Sequence, residues 1–237
     1  FQMFHTNALV VRRGPGAAPL VQYEFTHAIW ASLVEHCRDR KILFLASVFD
    51  PGSLDEYLRF DPAAIKIGSG ELHEHGLLRQ AAHSGRPVIL STGMATLSEV
   101  IEAATYLPIG HSALLHCTSA YPCPLGEVNL RAMDALGKLK FPVGYSDHTL
   151  GTAVPLAAVA RGAVIIEKHL TLDTTMEGPD HKASADPKTF AAMVSGIRQM
   201  ETVLGDGVKQ CQRSEHATRA YCRYNVGNVY RDAMRRA

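Results

Sequence analysis

The chain has 237 residues, of which 46% are hydrophobic and 20% are charged. This composition is typical of a folded globular protein and argues against disorder. The net charge of +1 argues against a nucleic-acid-binding protein, which normally carries a strong basic excess. No apolar run approaches the ~18 residues that a membrane span requires. The five cysteines form no C-x-x-C pair, so we expect neither a disulfide framework nor a zinc knuckle, and a cytoplasmic location is the default.

Short apolar runs alternate with helix-like runs along most of the chain. This alternation, with short connections, predicts βαβ units and a parallel sheet. The strands are apolar on both faces, as expected of a sheet that is covered on both sides. The predicted strands are 1–2, 42–47, 64–68, 87–91, 113–119, 142–146 and 164–170, and the predicted helices are 27–39, 53–59, 77–84, 97–106, 130–139, 153–160 and 187–204.

Two architectures are compatible with this alternation. A (β/α)8 TIM barrel needs eight strands and about 250 residues, and the predicted strands fall short of that number. We therefore expect an α/β TIM barrel that is incomplete at its N-terminus, with the first strand and helix missing. The alternative is an open doubly wound sheet, but no G-x-G-x-x-G motif follows any strand, so a Rossmann fold has no support. Residues 1–207 are predicted to form the barrel domain and residues 208–237 a basic linker.

Polar side chains follow nearly every predicted strand. In a parallel barrel the carboxyl ends of the strands carry the active site, so a succession of such clusters indicates a functional site there. The clustered residues are Ser47, Asp50, Lys66, Ser69, Glu71, Ser91, Thr92, Thr118, Ser119, Tyr121, Ser146, Asp147, His148, Glu167, Lys168 and His169.

His148 and His169 end two successive predicted strands. Adjacent strands lie about 4.8 Å apart, so both imidazoles can reach one point. Two imidazoles at that separation can hold a divalent transition metal, with water or carboxylate completing the shell. The alternative is one capping histidine and one buried, hydrogen-bonded histidine.

Lys66 interrupts an apolar strand, where a buried lysine is costly unless it has a partner or a task. It can pair with a phosphate or carboxylate, or act as a Schiff-base nucleophile. It can also simply extend to the strand end. The hydroxyls of Ser69, Ser91, Ser119 and Ser146 suit phosphate oxygens, although serines at strand ends often only cap helices.

Glu71 and Asp180 are the candidate acid and base. Glu71 follows a Gly-Ser-Gly bend, and Asp180 lies in the GPDHKAS loop after the last predicted strand. Catalytic and binding residues are often carried by loops that a rigid scaffold positions at the strand ends. The alternative for Asp180 is an aspartate that begins a turn.

Five motifs follow one another along the chain: KIGSGE at 66–71, PVILSTGMAT at 87–96, LLHCTSAYP at 114–122, GYSDHTLG at 144–151 and EKHLTLD…GPDHKAS at 167–184. In this order and spacing they resemble the sialic acid synthase family. That family includes the N-acetylneuraminate, legionaminic acid and pseudaminic acid synthases and spore-coat polysaccharide relatives. Five motifs in order are a far more specific signal than any single one.

The resemblance implies a barrel enzyme, a transferase that condenses phosphoenolpyruvate with an N-acetylated hexosamine such as N-acetylmannosamine and releases phosphate. It also implies a divalent metal, usually manganese, with magnesium or cobalt as alternatives. By motif, the metal ligands would be His148 and His169. The residues that would hold phosphoenolpyruvate are Lys66, Ser69, Ser91 and Ser146, with Ser47 and Ser119 nearby. Those that would face the sugar are Glu71, Tyr121, Asp180 and Gln2. Glu71 would also transfer protons.

The chain also departs from the family pattern. It begins at the Phe of the family's K-F-Q triad, and the E-A-G-x-N-H unit before that triad is absent. Ser-Val-Phe-Asp at 47–50 replaces the usual Thr-Pro-Phe-Asp. The segment from Arg213 resembles the linker into the family's C-terminal antifreeze-like domain. For the full-length protein we expect a cytoplasmic homodimer without nucleic-acid or membrane partners.

Two other functions stay open at this point. A class I aldolase that uses Lys66 as a Schiff-base nucleophile would need no metal. A truncated barrel that binds ligand without turnover would have no catalytic activity.

Overall fold

The computed structural model describes residues 1–13, 20–219 and 222. Its central feature is a seven-stranded sheet in which each strand is parallel to its neighbours and pairs with the next strand along the chain. The strands are β1 (Gln2–Met3), β2 (Ser47–Val48), β3 (Ile65–Ile67), β4 (Val88–Ser91), β5 (Ser112–Cys117), β6 (Val143–Asp147) and β7 (Ile166–Lys168).

The sequential strand order decides between the two architectures. In a doubly wound sheet the strand order reverses at a switch point, whereas here it runs from β1 to β7 without reversal. The doubly wound alternative is therefore wrong. Because parallel crossovers are right-handed, a sequential order places the connecting helices on one face of the sheet. Side chains of the two edge strands, β1 and β7, line one cavity on the other face, so the sheet is curled.

Local capping signals begin two of the helices. Asp50 accepts a hydrogen bond from the Ser53 N–H at 2.8 Å, and Pro51 occupies the first turn of the same helix. Thr96 and Glu99 form a reciprocal capping box. The helices are α1 (Thr6–Arg13), α2 (His27–Asp39), α3 (Pro51–Leu58), α4 (His75–His83), α5 (Leu97–Ala104), α6 (Ala132–Gly137), α7 (Ala153–Ala160) and α8 (Pro187–Leu204).

The main hydrophobic core lies between the outer face of the sheet and the helices. Ile65, Ile67 and Leu114 of the strands are fully buried and belong to one cluster with Leu54 of α3 and Leu78 of α4. Burying a side chain of this size contributes about 1.5–3 kcal/mol. The apolar outer face therefore holds the sheet in place, and the inner face is free to carry polar side chains.

Tyr57 joins α3 to the sheet through its hydroxyl. This hydroxyl donates to the carbonyl oxygen of Ala64 at 2.9 Å and accepts from the N–H of Ala46 at 3.2 Å. The side chain is fully buried, and burial raises the pKa of Tyr57 to about 12. The hydroxyl thus satisfies two backbone groups just before β2 and β3 that would otherwise be buried without partners.

Most predicted elements agree with the structure to within a few residues; one predicted strand does not, and one helix of the structure has no predicted counterpart. The predicted strand 42–47 is wrong over most of its length, because β2 begins at Ser47. Ile42 and Leu43 are 61% and 80% exposed, so this apolar run is not buried in the sheet. Helix α1 was not predicted; its apolar burial centres on Leu9, and one buried position produces no helical period.

The chain divides into two compact units, Phe1–Glu201 and Thr202–Ala237. The described part of the second unit contains a short 3-10 helix, Arg213–Glu215, capped reciprocally by Gln212 and Glu215. The predicted linker 208–237 extends beyond the described residues and stays a prediction. Every helix in the described ranges is too short or too polar to cross a lipid bilayer.

Candidate active site

A cavity of about 410 Å³ opens at the carboxyl ends of the strands. This is the end at which parallel barrels carry their active sites, and the volume suits a small-molecule ligand. Of the predicted site residues, Asp180 lies outside the cavity wall. The others line it together: Gln2, Ser47, Lys66, Ser69, Glu71, Ser91, Ser119, Tyr121, Ser146, His148 and His169.

The two-residue period of a strand explains how β6 and β7 present their side chains. Ser146 lines the cavity and His148 follows two residues later, and Glu167 and His169 repeat this spacing on the next strand. The parallel register pairs Ser146 with Glu167. Continuing that register brings the two histidines side by side, with their ring centroids 5.5 Å apart. The predicted proximity of the two imidazoles is therefore confirmed.

Lys66 is a buried positive charge in the cavity wall, 3% exposed. Its Nζ donates to the carbonyl oxygen of Ile67 at 3.0 Å and lies 3.5 Å from Oε2 of Glu167. Oε1 of Glu167 accepts from the Ser146 hydroxyl at 2.7 Å. A lysine this deeply buried needs a charged partner. The side chain therefore does more than extend to the strand end, because its ammonium is buried and paired there.

Serine hydroxyls line the same cavity as this charge. Oγ of Ser69 accepts from the N–H of Gly93 at 2.9 Å and lies 3.1 Å from Sγ of Cys117. Oγ of Ser91 is buried and has no hydrogen-bond partner among the described residues. Burying a hydroxyl without a partner costs about 1–3 kcal/mol, so this group is suited to a ligand atom. A Cβ on Gly93 would lie 2.4 Å from Oγ of Ser119, so a side chain at Gly93 would fill the space between these hydroxyls.

The histidine pair is oriented by neighbouring oxygens. Nδ1 of His148 donates to the carbonyl oxygen of Thr118 at 2.7 Å, which leaves Nε2 as the nitrogen with a free lone pair. Burial lowers the pKa of His148, so its ring stays neutral at pH 7. Nδ1 of His169 lies 3.7 Å from Oδ2 of Asp180. The ring of Tyr121 lies 4.2 Å, centroid to centroid, from that of His148 and closes one side of the pair.

This arrangement fits a divalent metal with open coordination positions. A neutral ring with one nitrogen committed to a carbonyl oxygen is the usual form of a histidine ligand. Within the described ranges, no group of three or more His, Cys, Asp or Glu side chains is placed to hold a metal ion. The two histidines would therefore share the ion with water or substrate oxygens, which is the composition of a catalytic site rather than a structural one.

The remaining predicted residues differ in their placement. Glu71 is fully buried on the 3-10 helix Ser69–Glu71, where it lines the cavity. Burial raises the pKa of Tyr121 to about 12, so its hydroxyl keeps its proton. Asp180 is 40% exposed and approaches the site beside His169. Gln2 and Ser47 are register partners on β1 and β2.

Glu167 was noted in the sequence only as one polar residue among those at the strand ends and was given no role, although it links Lys66 to Ser146. Its spacing from His169 is a signal that could have found it, because residues two apart on a strand share a face. The carbonyl oxygen of Thr118 was also missed. Backbone acceptors carry no side-chain signal, so the sequence offers none for this contact.

Comparison with known proteins places the chain in a family. The NeuB family model matches residues 11–209, which is most of the chain. The chain is 44% identical over 189 residues to the N,N'-diacetyllegionaminic acid synthase of Campylobacter jejuni, covering 77% of this chain and 57% of that protein. It is 35% identical to the human N-acetylneuraminate-9-phosphate synthase, covering 82% of this chain and 55% of that protein. The chain therefore belongs to the NeuB family, and the resemblance seen in the motifs is confirmed.

Solved structures agree with this assignment. The N-acetylneuraminic acid synthetase of Leptospira borgpetersenii matches with a TM-score of 0.84 and 36% identity over 100% of this chain and 81% of that one. A truncated 3-deoxy-D-arabino-heptulosonate 7-phosphate synthase of Thermotoga maritima matches with a TM-score of 0.67 over 79% of this chain and 76% of that one; at 20% identity, this shows likeness of fold alone. An uncharacterized protein of Methanocaldococcus jannaschii is 41% identical over 91% of this chain and 65% of its own length. The chain thus spans about three fifths of the length of the curated relatives it matches.

Proposed function

We propose that this chain is the catalytic part of a nonulosonic (sialic) acid synthase. The enzyme would condense phosphoenolpyruvate with an N-acetylated hexosamine, such as N-acetylmannosamine, and release inorganic phosphate. The observation that carries the proposal is the cavity itself. In a chain of the NeuB family, it combines a buried lysine, a serine hydroxyl with no hydrogen-bond partner in the described part of the chain, and two adjacent imidazoles.

Lys66 and the serines would bind the anionic groups of phosphoenolpyruvate. Lys66 supplies a positive charge in a region shielded from water, where a charge-assisted hydrogen bond is strong. Ser91 supplies a donor that has no other partner among the described residues. Ser69 and Ser146 are the neighbouring hydroxyls, and Ser146 can exchange its bond to Glu167 for one to a phosphate oxygen.

His148 and His169 would hold a divalent cation, with manganese the first choice and magnesium or cobalt as alternatives. When bound, this cation supplies Lewis-acid polarisation of an aldehyde oxygen. Tyr121 covers the imidazoles and keeps its proton, so its hydroxyl can donate to the sugar. Gln2 lines the cavity and Asp180 lies beside His169, and both would complete sugar recognition.

The reaction requires one carbon–carbon bond to form and one carbon–oxygen bond to break. C3 of phosphoenolpyruvate bonds to the aldehyde carbon, water adds at C2, and the C2–O bond to phosphate breaks. Glu71 would move the protons this sequence needs, because its carboxylate is buried within the cavity wall. We expect Glu71→Gln to lower kcat by about 10²- to 10⁴-fold, the usual contribution of a general acid or base.

The complete protein would be a closed (β/α)8 barrel. β1 and β7 are the two edges of the sheet and line the same cavity, so an eighth strand between them would close it. The proposal includes a small C-terminal domain after the linker and a cytoplasmic homodimer. Chemical cross-linking and sedimentation of the full-length protein would test the dimer.

A Schiff-base aldolase that uses Lys66 is the second candidate, favoured by the burial of that lysine. The ion pair with Glu167 and the hydrogen bond to Ile67 favour charge pairing over nucleophilic attack. Borohydride reduction in the presence of pyruvate separates the two candidates. A covalent adduct on Lys66 would support the aldolase and overturn the synthase.

Phosphate release from phosphoenolpyruvate by the full-length protein is the direct test. We expect release that depends on N-acetylmannosamine or its 6-deoxy diacetamido relatives and that stops on chelation. His148→Ala should abolish it, whereas His83→Ala, which removes an exposed histidine of α4, should not. Release that survives chelation would remove the metal from the reaction. No release with any of these sugars would overturn the proposed activity.

A further inference from the structure

Behind the histidine pair lies a buried ion pair that the cavity does not use. Asp147 and Lys168 are register partners on β6 and β7, and their side chains are 0% and 1% exposed. Oδ2 of Asp147 and Nζ of Lys168 are in direct contact. Neither residue lines the cavity. Alternation along the strands puts both side chains on the helix-covered face, opposite the imidazoles.

The ion pair also fixes the residue that follows His148. Nζ of Lys168 donates to the carbonyl oxygen of Thr149 at 2.7 Å. Oδ1 of Asp147 accepts from the Thr149 N–H at 3.1 Å and from its hydroxyl at 2.8 Å. One lysine from β7 thus contacts the residues on both sides of His148.

Stability alone is a weak reason for such a pair. Removing two charges from water is costly, and apolar replacements of buried pairs are often neutral or stabilising. A buried pair can instead select one geometry among several. Here the selected geometry is the register of the two strand ends that carry His148 and His169. A slip of one residue would turn each side chain to the opposite face.

We propose that Asp147 and Lys168 are positioning residues that hold His148 and His169 at the separation a shared divalent cation requires. The Lys168 side chain joins the two strand ends directly behind the imidazoles. The carbonyl oxygen of Thr118 then sets the rotation of the His148 ring. This inference rests on the proposed function for the presence of the cation. It states that two residues outside the cavity raise the affinity of the site for the cation by positioning its two histidine ligands.

The test is the Mn²⁺ affinity of the whole chain, measured from the electron paramagnetic resonance signal of free Mn²⁺, together with Tm by circular dichroism. The double variant Asp147→Leu/Lys168→Met removes both charges and leaves neither unpaired. We expect its Tm to fall, because the N–H, hydroxyl and carbonyl oxygen of the buried Thr149 lose their partners. Its Mn²⁺ affinity should fall by about 10- to 100-fold, the usual effect of losing groups that orient metal ligands.

A matched control makes the same chemical change in the exposed ion pair between Asp134 and Arg161. Asp134→Leu/Arg161→Met should leave the Mn²⁺ affinity unchanged. A milder variant, Thr149→Val, removes one hydrogen bond to Asp147 and keeps both charges. It should weaken Mn²⁺ binding several-fold with little change in Tm, and it decides the question if the double variant does not fold.

The outcomes separate the two proposals. Unchanged Mn²⁺ affinity in a folded double variant, or in Thr149→Val if the double variant is unfolded, would overturn the positioning role and leave the proposed function intact. A wild-type chain that does not bind Mn²⁺ would overturn both the metal part of the proposed function and this inference. Weakened binding in the variants, with unchanged binding in the Asp134/Arg161 control, would support it.

Discussion

Replacing Lys66 by methionine removes the buried charge of the cavity and keeps a side chain of similar length. The ammonium is held by a carbonyl oxygen at 3.0 Å and by the Glu167 carboxylate at 3.5 Å. In Lys66→Met the carboxylate loses its cation, but its side chain is 36% exposed and can be hydrated. We therefore expect stability to change little and phosphoenolpyruvate binding to weaken strongly.

The size of the binding effect follows from the contact that is lost. Two unit charges 4 Å apart interact by about 4 kcal/mol at an effective dielectric constant of 20, which is an upper bound here. Glu167 offsets part of this attraction, because it already partners the ammonium. A hydrogen bond to a charged group contributes about 1.5–3 kcal/mol. That range corresponds to a phosphoenolpyruvate Kd about 10- to 150-fold higher.

Calorimetric titration with phosphoenolpyruvate in the absence of sugar measures this change, and urea unfolding measures stability. Lys188→Met is the matched control, since Lys188 is exposed and lies outside the cavity wall. Its Kd should equal that of the wild type. A Kd for Lys66→Met within twofold of the wild type would refute the reasoning, because no anion would then lie beside this ammonium. Destabilisation above about 3 kcal/mol would assign Lys66 a structural role instead.

Three further predictions concern the scaffold and are checked by urea unfolding. A Cβ on Gly144 would lie 2.6 Å from a carbonyl oxygen in the segment before β7, so Gly144→Ala should destabilise the protein by about 1–3 kcal/mol. The control is Gly137→Ala, whose Cβ would meet open space and should change stability by less than about 1 kcal/mol. Tyr57→Phe leaves two buried backbone groups without their partner and should cost about 1–3 kcal/mol; no loss would show that both groups find another partner. Burial opposes protonation of His5, but the neighbouring Asp50 carboxylate raises the pKa of His5 overall. Burial likewise opposes ionisation of Asp50, but its hydrogen bonds with His5 lower the pKa of Asp50 overall. The stabilisation by His5 is lost as pH rises through its folded pKa, and that by Asp50 is lost as pH falls through its own. The cost of His5→Gln should therefore be larger at pH 5 than at pH 8, and below about 1 kcal/mol because His5 is 40% exposed; equal costs at both pH values would contradict the pairing.

The regular elements were predicted well where local signals are strong. Helices α2, α7 and α8 match their predicted bounds, and the predicted strands 87–91 and 142–146 correspond to β4 and β6. The predicted strand at 42–47 is wrong over most of its length because apolar composition alone does not determine whether a segment pairs with a neighbouring strand. Ile42 and Leu43 remain exposed, and pairing begins only at Ser47.

The site was predicted as a set of residues but not as a network of contacts. Position at the strand ends and the ordered motifs identified eleven of the residues that line the cavity, but not Phe49, Met94 or Cys117. The adjacency of His148 and His169 follows from the strand register. The contact between Lys66 and Glu167 could not be predicted, because β3 and β7 are not neighbours in the sheet. Asp180, expected to face the sugar, lies outside the cavity wall, with Oδ2 3.7 Å from Nδ1 of His169.

Local information in the sequence thus determined the parallel α/β class, the family and most of the polar residues in the cavity. These depend on periodicity, capping residues and ordered motifs, which act over a few positions of the chain. The tertiary structure decided which groups are partners. The curl of the sheet brings Glu167 to Lys66, and the register of β6 and β7 buries Asp147 against Lys168. Such contacts join residues far apart in the chain, so their distances are set by the packing of the whole sheet rather than by any local pattern.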